Sequence, residues 1–402
     1  MTSPLATQSP RINLRTPEVM ACVQAQVENH YKSSLVEQIR ATGGTLRKNN
    51  TTIYLAKEFG FCYGVERAID LAYAARKVFP ERRIFILGEI IHNPEVIHQI
   101  DALGIRNLLA SATHPDLSAL QNDDVVVVPA FGAEVTLLEE IKRLGCQIVD
   151  TTCGDVMSVW KRVRQNASEN VTSIIHGKAF HEETRATASR ALGKGSGHYL
   201  IVLNMQDTDI VCDHIRNGGD PETFLQHFPQ AHSPGFNPNI HLKKVGVANQ
   251  TTMLRGETEE VQHRLRKAIS DRDKGSEENF RCFDTICGAT QERQDALFTL
   301  LRSHKLDFLL VIGGYNSSNT THLAEIGGTE IPTYFVRNGQ CLESRDLIRH
   351  FDVVLKKEIE TWGWLPTFPL QVGITAGASC PNNLIEEIIH RLLELREEGN
   401  RF

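Results

Sequence analysis

The chain has 402 residues, of which 41% are hydrophobic and 23% charged, a composition that excludes a disordered or fibrous protein and suggests two or three domains. Its 43 basic and 49 acidic residues give a net charge of −6, so the charge provides no reason to expect a nucleic-acid partner. Apolar runs such as DFLLVIGGY (307–315) are too short to cross a bilayer, and no signal-peptide pattern opens the chain. We therefore expect a cytoplasmic protein, or a plastid stromal one if the source is eukaryotic.

The predicted elements begin with a polar tail and one helix over roughly 17–42. From residue 50 onward, short β-branched runs alternate with amphipathic helical patterns. The nine predicted strands cover 83–87, 124–129, 146–151, 172–177, 198–203, 244–249, 307–313, 333–337 and 370–377. Continuous apolar strands that alternate with helices are typical of mainly parallel sheets covered by helices, so the predicted fold class is α/β.

One segment interrupts this alternation. Residues 204–242 are rich in Pro, Gly, Asn and His and are too long for an ordinary connection between two strands. They predict an insertion with a small helix of its own. We expect neither this insertion nor residues 1–49 to be catalytic.

The cysteines are numerous but scattered. There are nine, at positions 22, 62, 146, 153, 212, 282, 287, 341 and 380. An odd number, wide spacing and the absence of a secretion signal argue against a disulfide framework. No pair has C-x-x-C spacing, so zinc ribbons and clustered ferredoxin motifs are not indicated. Any cysteine chemistry must combine distant parts of the chain.

A phrase that occurs twice suggests which cysteines are functional. VDTTCGDV (149–156) nearly repeats as FDTICGAT (283–290), and GFCYGVERA (60–68) places a third cysteine close to a glycine. Each cysteine falls between a strand end and a helix start, where α/β sheets form binding sites and helix N-termini stabilise thiolates. A single cysteine there is usually a small buried hydrophobe, but the repetition favours a function. Three thiolates from Cys62, Cys153 and Cys287 could hold an iron–sulfur cluster that leaves one iron free for substrate.

Polar side chains follow other predicted strands at the same edge. His92 lies in HNPEV, while His181 and Glu183 open a helix after strand 172–177, a placement that suits anion binding and proton relay. The segments 249–252, 313–322 and 375–383 place Gly, Ser, Thr and Asn between a strand and a helix, where they could hold phosphate without Lys or Arg. Each group alone is more often an N-cap or a structural residue. Their shared location favours a common site.

Taken in order, GFCYGVERA, HNPEV, VDTTC, HEE, QTT, DTIC…ERQ, NSSNTTHL and TAGAS resemble the LytB family of 4-hydroxy-3-methylbut-2-enyl diphosphate reductases, in its cyanobacterial and plastid branch. The resemblance covers roughly residues 55–395. It implies three α/β units arranged as a pseudo-threefold trefoil around one [4Fe–4S] cluster with three cysteine ligands and an open iron. The units would span 50–152, 153–286 and 287–402 after an extension at 1–49.

The resemblance also implies roles for individual residues. Glu183 would be the proton source. The substrate diphosphate and hydroxyl would be bound by His92, His181, Thr251, Ser317, Ser318, Asn319 and Ser379. Reduced ferredoxin or flavodoxin would supply electrons to make isopentenyl and dimethylallyl diphosphate. One departure is Phe131 in PAFGAE, because shorter bacterial members have a diphosphate-binding histidine in an AHG context there.

Two other functions fit parts of the same pattern. A zinc-dependent hydrolase of a phosphorylated metabolite could use the same thiolates with His181. An iron–sulfur redox sensor could use the cysteines alone, but Glu183 and the phosphate-type loops would then have no purpose. Metal content and colour under anaerobic conditions distinguish these functions from the reductase.

Overall fold

Three β-sheets organise the chain in its computed structural model, which describes residues 13–109, 115–283, 285–367 and 369–398. The strands are β1 (Thr45–Lys48), β2 (Thr51–Leu55), β3 (Ile84–Ile86), β4 (Ile105–Asn107), β5 (Val125–Val128), β6 (Gln147–Asp150), β7 (Thr172–His176), β8 (Tyr199–Val202), β9 (Val245–Asn249), β10 (Phe280–Cys282), β11 (Phe308–Ile312), β12 (Thr333–Val336), β13 (Leu347–Asp352), β14 (Lys357–Trp362) and β15 (Leu370–Ala376). All nine predicted strands are present. Residues 1–12 of the predicted tail and Asp284 of the repeated phrase lie outside the described ranges.

Helices connect and cover these strands. They are α1 (Pro17–Tyr31), α2 (Ser34–Ala41), α3 (Tyr63–Val78), α4 (Pro94–Ala102), α5 (Val135–Arg143), α6 (Gly154–Ser168), α7 (Glu182–Ala191), α8 (Met205–Asn217), α9 (Pro221–Gln226), α10 (Pro238–His241), α11 (Arg255–Arg272), α12 (Gly288–Ser303), α13 (Ser318–Glu330) and α14 (Asn382–Glu398). No helix in the described ranges is long and apolar enough to span a bilayer.

The sheets differ in their strand directions. Sheet 1 has the order β4-β3-β5-β6 and sheet 2 the order β10-β9-β7-β8, and every pairing in both is parallel. Sheet 3 has the order β1-β2-β15-β11-β12-β13-β14, with a parallel centre and antiparallel hairpins at both ends. The α/β prediction with mainly parallel sheets is therefore confirmed.

Central strands of these sheets are buried on both faces. All four residues of β5, Val125–Val128, are fully buried, as are the five residues of β11. Burying one valine side chain stabilises a fold by about 1.5–3 kcal/mol. This is why the central strands read as uninterrupted apolar runs and could be recognised from the sequence.

The sheet topology corrects the predicted start of the first unit. Strand β2 pairs in parallel with β15, with Ile53 opposite Val372, so residues 51–55 belong to sheet 3 with the C-terminal strands. The prediction placed them in a unit spanning 50–152. A local sequence pattern carries no information on a pairing between strands more than 300 residues apart.

Two helical predictions were also too simple. The single helix predicted over 17–42 is two helices, α1 and α2, because Lys32 is extended and the Ser33 hydroxyl accepts a hydrogen bond from Val36 N–H at 2.9 Å to start α2. The insertion 204–242 contains three helices, α8, α9 and α10, instead of one. Phe224 and Phe228 of the insertion are buried in the hydrophobic core of sheet 2.

Candidate active site

All eleven residues proposed from the sequence line one cavity between the three sheets. They are Cys62, His92, Cys153, His181, Glu183, Thr251, Cys287, Ser317, Ser318, Asn319 and Ser379. They come from loops that follow the carboxyl ends of strands in all three sheets and from the first turns of the helices after those loops. The expectation that these residues share one location is met, while their individual roles stay predictions.

The three cysteines occupy equivalent positions. Each is the N-cap of a helix: Cys62 of α3, Cys153 of α6 and Cys287 of α12. The strands that precede them are β2, β6 and β10, one from each sheet. The structure therefore repeats the same strand–cysteine–helix arrangement three times.

Backbone hydrogen bonds hold these cysteine loops in place. Each cysteine N–H donates to a carbonyl that follows the neighbouring strand of the same sheet. The three bonds are Cys62 N to Ala378 O at 3.2 Å, Cys153 N to Ala130 O at 2.9 Å and Cys287 N to Thr251 O at 3.1 Å. The third bond also links a predicted ligand to a predicted substrate-binding residue.

Gly64 shows how closely two of the cysteines approach. A Cβ atom added at Gly64 would lie 2.6 Å from Cys153 Sγ and 3.9 Å from Cys62 Sγ. Two sulfurs from residues 91 positions apart in the chain thus flank one backbone position. The glycine close to Cys62 serves this close approach.

The environment of the thiols is more apolar than the sequence suggested. N–H groups of Asp155 and Val156 at the start of α6 do lower the pKa of Cys153, but burial has the larger effect and raises it. Burial likewise raises the pKa of Cys287 to about 12. At Cys153 and Cys287 the helix N-termini therefore do not outweigh burial, and a bound cation would stabilise their thiolate forms.

Glu183 is the most deeply buried acid of the site. Its carboxylate accepts hydrogen bonds from Thr251 N–H at 2.6 Å and from the Thr251 hydroxyl at 3.0 Å. Burial nevertheless raises the pKa of Glu183 to about 7. Near neutral pH this carboxyl is consequently present in both protonation states, as proton transfer requires.

The two predicted histidines contact each other across the cavity. His92 Nε2 lies 3.3 Å from His181 Nε2. Since His181 Nδ1 accepts from Glu183 N–H at 3.2 Å, its proton is on Nε2. His92 Nδ1 lies 2.7 Å from a Glu89 oxygen and donates to it, and Asn316 Nδ2 donates to the same oxygen at 2.8 Å. Burial lowers the pKa of His181, which favours its neutral form.

The start of α13 presents unused hydrogen-bond donors. Asn319 is buried, its Oδ1 accepts from Ala378 N–H at 2.9 Å, and its Nδ2 has no partner among the described residues. The Ser317 hydroxyl caps α13 by accepting from Thr320 N–H. An amide that is buried without a partner is costly in a folded protein, so a bound acceptor is expected beside it.

Comparison with known proteins shows the family. A model described as "LytB protein" matches residues 53–393. The chain belongs to the LytB family. The 4-hydroxy-3-methylbut-2-enyl diphosphate reductase of Gloeobacter violaceus is 44% identical over 94% of this chain and 91% of its own, and that of Thermosynechococcus vestitus is 44% identical over 93% and 92%.

Solved structures agree with this LytB assignment. A structure described as (E)-4-hydroxy-3-methyl-but-2-enyl diphosphate reductase, the terminal enzyme of the non-mevalonate pathway, superimposes with a TM-score of 0.54 at 25% identity and covers 85% of this chain and 99% of its own. The reductase structure from Plasmodium falciparum has a TM-score of 0.62 at 21% identity over 84% and 86% of the two chains, and it supports the fold. The predicted family and trefoil architecture are confirmed.

The departure at Phe131 from the short LytB pattern has a structural counterpart. Its ring stacks on His92 with centroids 4.3 Å apart and meets His181 edge-on at 5.5 Å. Phe131 lines the cavity but offers no hydrogen bond. The Phe131 ring restricts the positions of both imidazoles. Because it cannot donate a hydrogen bond, a polar ligand in this part of the cavity must be bound by other donors.

Sequence reasoning missed one charged residue beside this LytB site. Arg293 is buried, donates to Gly60 O at 2.6 Å and to Ala289 O at 2.8 Å, and brings a positive charge close to Cys62 and Cys287. Arg293 lies in the phrase ERQ, which supported the resemblance to the LytB family. The sequence analysis did not predict it as a site residue. No local motif could reveal that an arginine in α12 reaches the loop before Cys62.

The donor set fits an iron–sulfur cluster. Three sulfurs at equivalent helix starts, with a buried arginine beside them, match the thiolate ligation and charge compensation that such clusters require. A second group, His92, His181 and Glu182, has its potential metal-binding atoms within 4.8 Å of one another. The hydrogen bonds described above already account for the proximity of the two imidazoles.

Proposed function

We propose that this chain reduces (E)-4-hydroxy-3-methylbut-2-enyl diphosphate to isopentenyl and dimethylallyl diphosphate, the last step of the methylerythritol phosphate route. Two electrons and two protons replace the allylic C–O bond by a C–H bond and release water. The convergence of all eleven predicted residues on one cavity is the observation that carries the proposal. The reductases among its relatives favour this function over the zinc hydrolase and the redox sensor.

Cys62, Cys153 and Cys287 would be the protein ligands of one [4Fe–4S] cluster with an open iron. When bound, this group would supply electrons singly and act as a Lewis acid at the substrate oxygen. The protein contributes the rigid spacing of the three sulfurs, since each cysteine is fixed by an N–H bond to the adjacent loop. Arg293 contributes a buried positive charge near them.

Glu183 would deliver a proton to the departing hydroxyl. Its pKa of about 7 keeps a large protonated fraction at neutral pH, and the Thr251 hydroxyl lies 3.0 Å from its Oε2. Thr251 can therefore orient the carboxyl towards the cavity, and its hydroxyl can pass a proton between the carboxyl and the substrate oxygen. Burial excludes the bulk water that would compete with this transfer.

The diphosphate would occupy the part of the cavity at the start of α13. The unpartnered Asn319 amide, the hydroxyls of Ser317 and Ser318, and the Nε2–H of His181 would supply donors to it. The Ser379 hydroxyl donates to His92 O at 3.2 Å and would turn from that carbonyl to the diphosphate. The helix N-terminus adds a favourable electrostatic potential for an anion. A polyanion would thus be bound by several neutral hydrogen-bond donors.

Electrons would come from a small carrier such as reduced ferredoxin or flavodoxin. The protein would act in the cytoplasm, or in the plastid stroma if its source is eukaryotic. The chain has no dinucleotide fingerprint that would let it draw hydride from a nicotinamide directly. A carrier that gives one electron at a time fits the proposed cluster.

Anaerobic purification followed by iron and sulfide analysis, and by turnover of the allylic diphosphate with reduced ferredoxin, tests the proposal. We expect a brown protein that bleaches with dithionite and forms both products. Serine in place of Cys62, Cys153 or Cys287 should remove most iron and all turnover. Cys282→Ser is the matched control, because Cys282 is half-buried close to Cys287 in sequence and contacts Arg266. Colourless, zinc-containing protein would contradict the proposal.

A further inference from the structure

The cavity contains an electrostatic mismatch with the ligand proposed for it. A diphosphate ester carries several negative charges at neutral pH, yet no Lys or Arg occurs among the described residues that line the cavity. His181 does not supply the charge, because burial lowers its pKa and keeps it neutral. A cation close to the cavity is needed to compensate the diphosphate.

Lys178 meets this need from the rim. It lies in the loop between β7 and α7, three residues before His181, and its Nζ donates to the Ser318 hydroxyl oxygen at 3.1 Å. Ser318 is buried and lines the cavity at the start of α13. The lysine side chain is exposed as a whole, so it connects the buried serine with the solvent.

The Lys178 loop is held firmly against this position. Buried Gln250 accepts from Lys178 N–H at 3.1 Å through Oε1, and its Nε2 lies 3.5 Å from Ser318 Oγ. Gly177 leaves no space for movement towards Gln250, because a Cβ there would lie 2.9 Å from Gln250 Cβ. The backbone of Lys178 is therefore fixed beside Gln250, and from there its side chain reaches Ser318.

The hydrogen bonds of Ser318 indicate where its proton points. Its oxygen accepts from Lys178 and from Gln250, both of which can only donate through these nitrogens. Among the described residues no acceptor for the Ser318 O–H is present. A serine saturated as an acceptor has its own proton free for an anion in the cavity.

Lys178 also has an unsatisfied charge. No carboxylate of the described residues lies within ion-pair distance of its Nζ. Glu325 acts on it electrostatically from further away, but that carboxylate binds His322 Nδ1 at 2.7 Å. Partial burial of the ammonium lowers the pKa of Lys178, a cost that a bound anion would offset.

We propose that Lys178 is a diphosphate-recruiting cation that also orients Ser318 as a donor to the same group. The inference rests on the proposed function and deepens it by adding a charged determinant to a site otherwise built from neutral donors. Lys178 attracts the polyanion at the mouth of the cavity. Its hydrogen bond to Ser318 turns the proton of that hydroxyl towards the polyanion at the start of α13. It is a positioning residue and takes no part in the proton or electron transfer.

The test compares Lys178→Met, Lys178→Arg and the unsubstituted protein, all isolated anaerobically with their native metal content. Titration calorimetry with inorganic diphosphate measures binding, and steady-state kinetics with the allylic diphosphate separate KM from kcat. We expect Lys178→Met to raise the Kd and the KM about tenfold while kcat changes less than about twofold. Lys178→Arg should restore most of the affinity, because it keeps the charge and can still donate to Ser318.

Lys194→Met is the matched control. Lys194 is exposed in the loop after α7, at the end of that helix opposite His181, and its removal changes the net charge equally. It should leave the Kd for diphosphate unchanged. Raising the ionic strength should weaken binding by the unsubstituted protein more than by Lys178→Met, since part of the attraction is screened.

An unchanged Kd in Lys178→Met, or a Lys178→Arg variant as weak as Lys178→Met, would overturn the proposal. The binding experiment does not depend on turnover. If the unsubstituted protein bound diphosphate but failed to reduce the allylic substrate, the proposed function would fail while the assignment of Lys178 was still decided by the Kd values.

Discussion

At the scale of single residues, the protonation of Glu183 links burial to chemistry. An ordinary glutamate has a pKa of 4.5, and the Thr251 bonds alone would lower it further. Burial overrides them and raises the pKa to about 7. The energetic cost of burying this carboxylate is what makes it a proton donor at neutral pH.

We predict that kcat falls as the pH rises through 7, because the protonated carboxyl is the donor and its population declines above its pKa. Glu183→Gln removes the acid and keeps a side chain of similar size. It should lower kcat by about 10²-fold or more. The measurement is a pH–rate profile at saturating substrate and donor.

The iron content and visible spectrum of Glu183→Gln should equal those of the unsubstituted protein, since Glu183 is not a proposed ligand. Glu257→Gln is a suitable control and should leave kcat unchanged, because Glu257 is exposed in the first turn of α11 and does not line the cavity. Undiminished turnover by Glu183→Gln would remove Glu183 from the role of proton source.

At the scale of elements, helix starts perform two separable tasks. Ser33 caps α2 and Ser317 caps α13, each by accepting a backbone N–H three residues on. Ser33 lies in the N-terminal segment, whereas Ser317 lines the cavity. Comparing the two serines therefore separates the effect of losing a helix cap from the effect of losing a ligand contact.

We predict that Ser33→Ala and Ser317→Ala each destabilise the protein by about 1 kcal/mol, as loss of an N-cap usually does. Only Ser317→Ala should also raise the KM for the allylic diphosphate. Denaturation midpoints and steady-state kinetics on the two variants check both statements. Equal KM values would mean that Ser317 is a cap and nothing more.

The elements also show which patterns a sequence can reveal. Strands β5 and β11 were predicted because every residue is buried and apolar. Strands β13 and β14, LIRHFD and KEIETW, were missed because this hairpin at the edge of sheet 3 carries charged residues on its exposed positions. Strand prediction thus succeeded for strands that are covered on both faces and failed for this solvated edge hairpin.

At the scale of the whole molecule, the sequence predicted the site residues and their shared location, but not the long-range contacts that hold the site together. The repeated phrase identified Cys153 and Cys287 as equivalent, and both proved to be helix N-caps. The phrase did not show that β2 joins the C-terminal strands, nor that Lys178 reaches Ser318 across 140 residues. Such contacts depend on pairing between distant segments, for which a single sequence contains no local signal.

The convergence of the three sheets at one point leads to a prediction about glycine. Gly64 lies in the first turn of α3, and a Cβ there would approach Cys153 Sγ to 2.6 Å, a contact that no real Cβ makes. Gly154 and Gly288, which follow Cys153 and Cys287, have nothing within 4 Å of an added Cβ. Two of the glycines associated with the cysteines therefore tolerate a side chain, and one does not.

We predict that Gly64→Ala displaces Cys153 from Cys62, lowers the iron content and lowers turnover in proportion. Gly154→Ala and Gly288→Ala should retain full iron, and they should be neutral or slightly stabilising, because alanine favours a helix by up to about 1 kcal/mol over glycine. Iron and sulfide analysis with denaturation midpoints on the three variants decides the matter. If Gly64→Ala retained iron as well as the other two, the sulfur of Cys153 would have to be free to move, and the rigid convergence of three sheets on one cluster would not describe this protein.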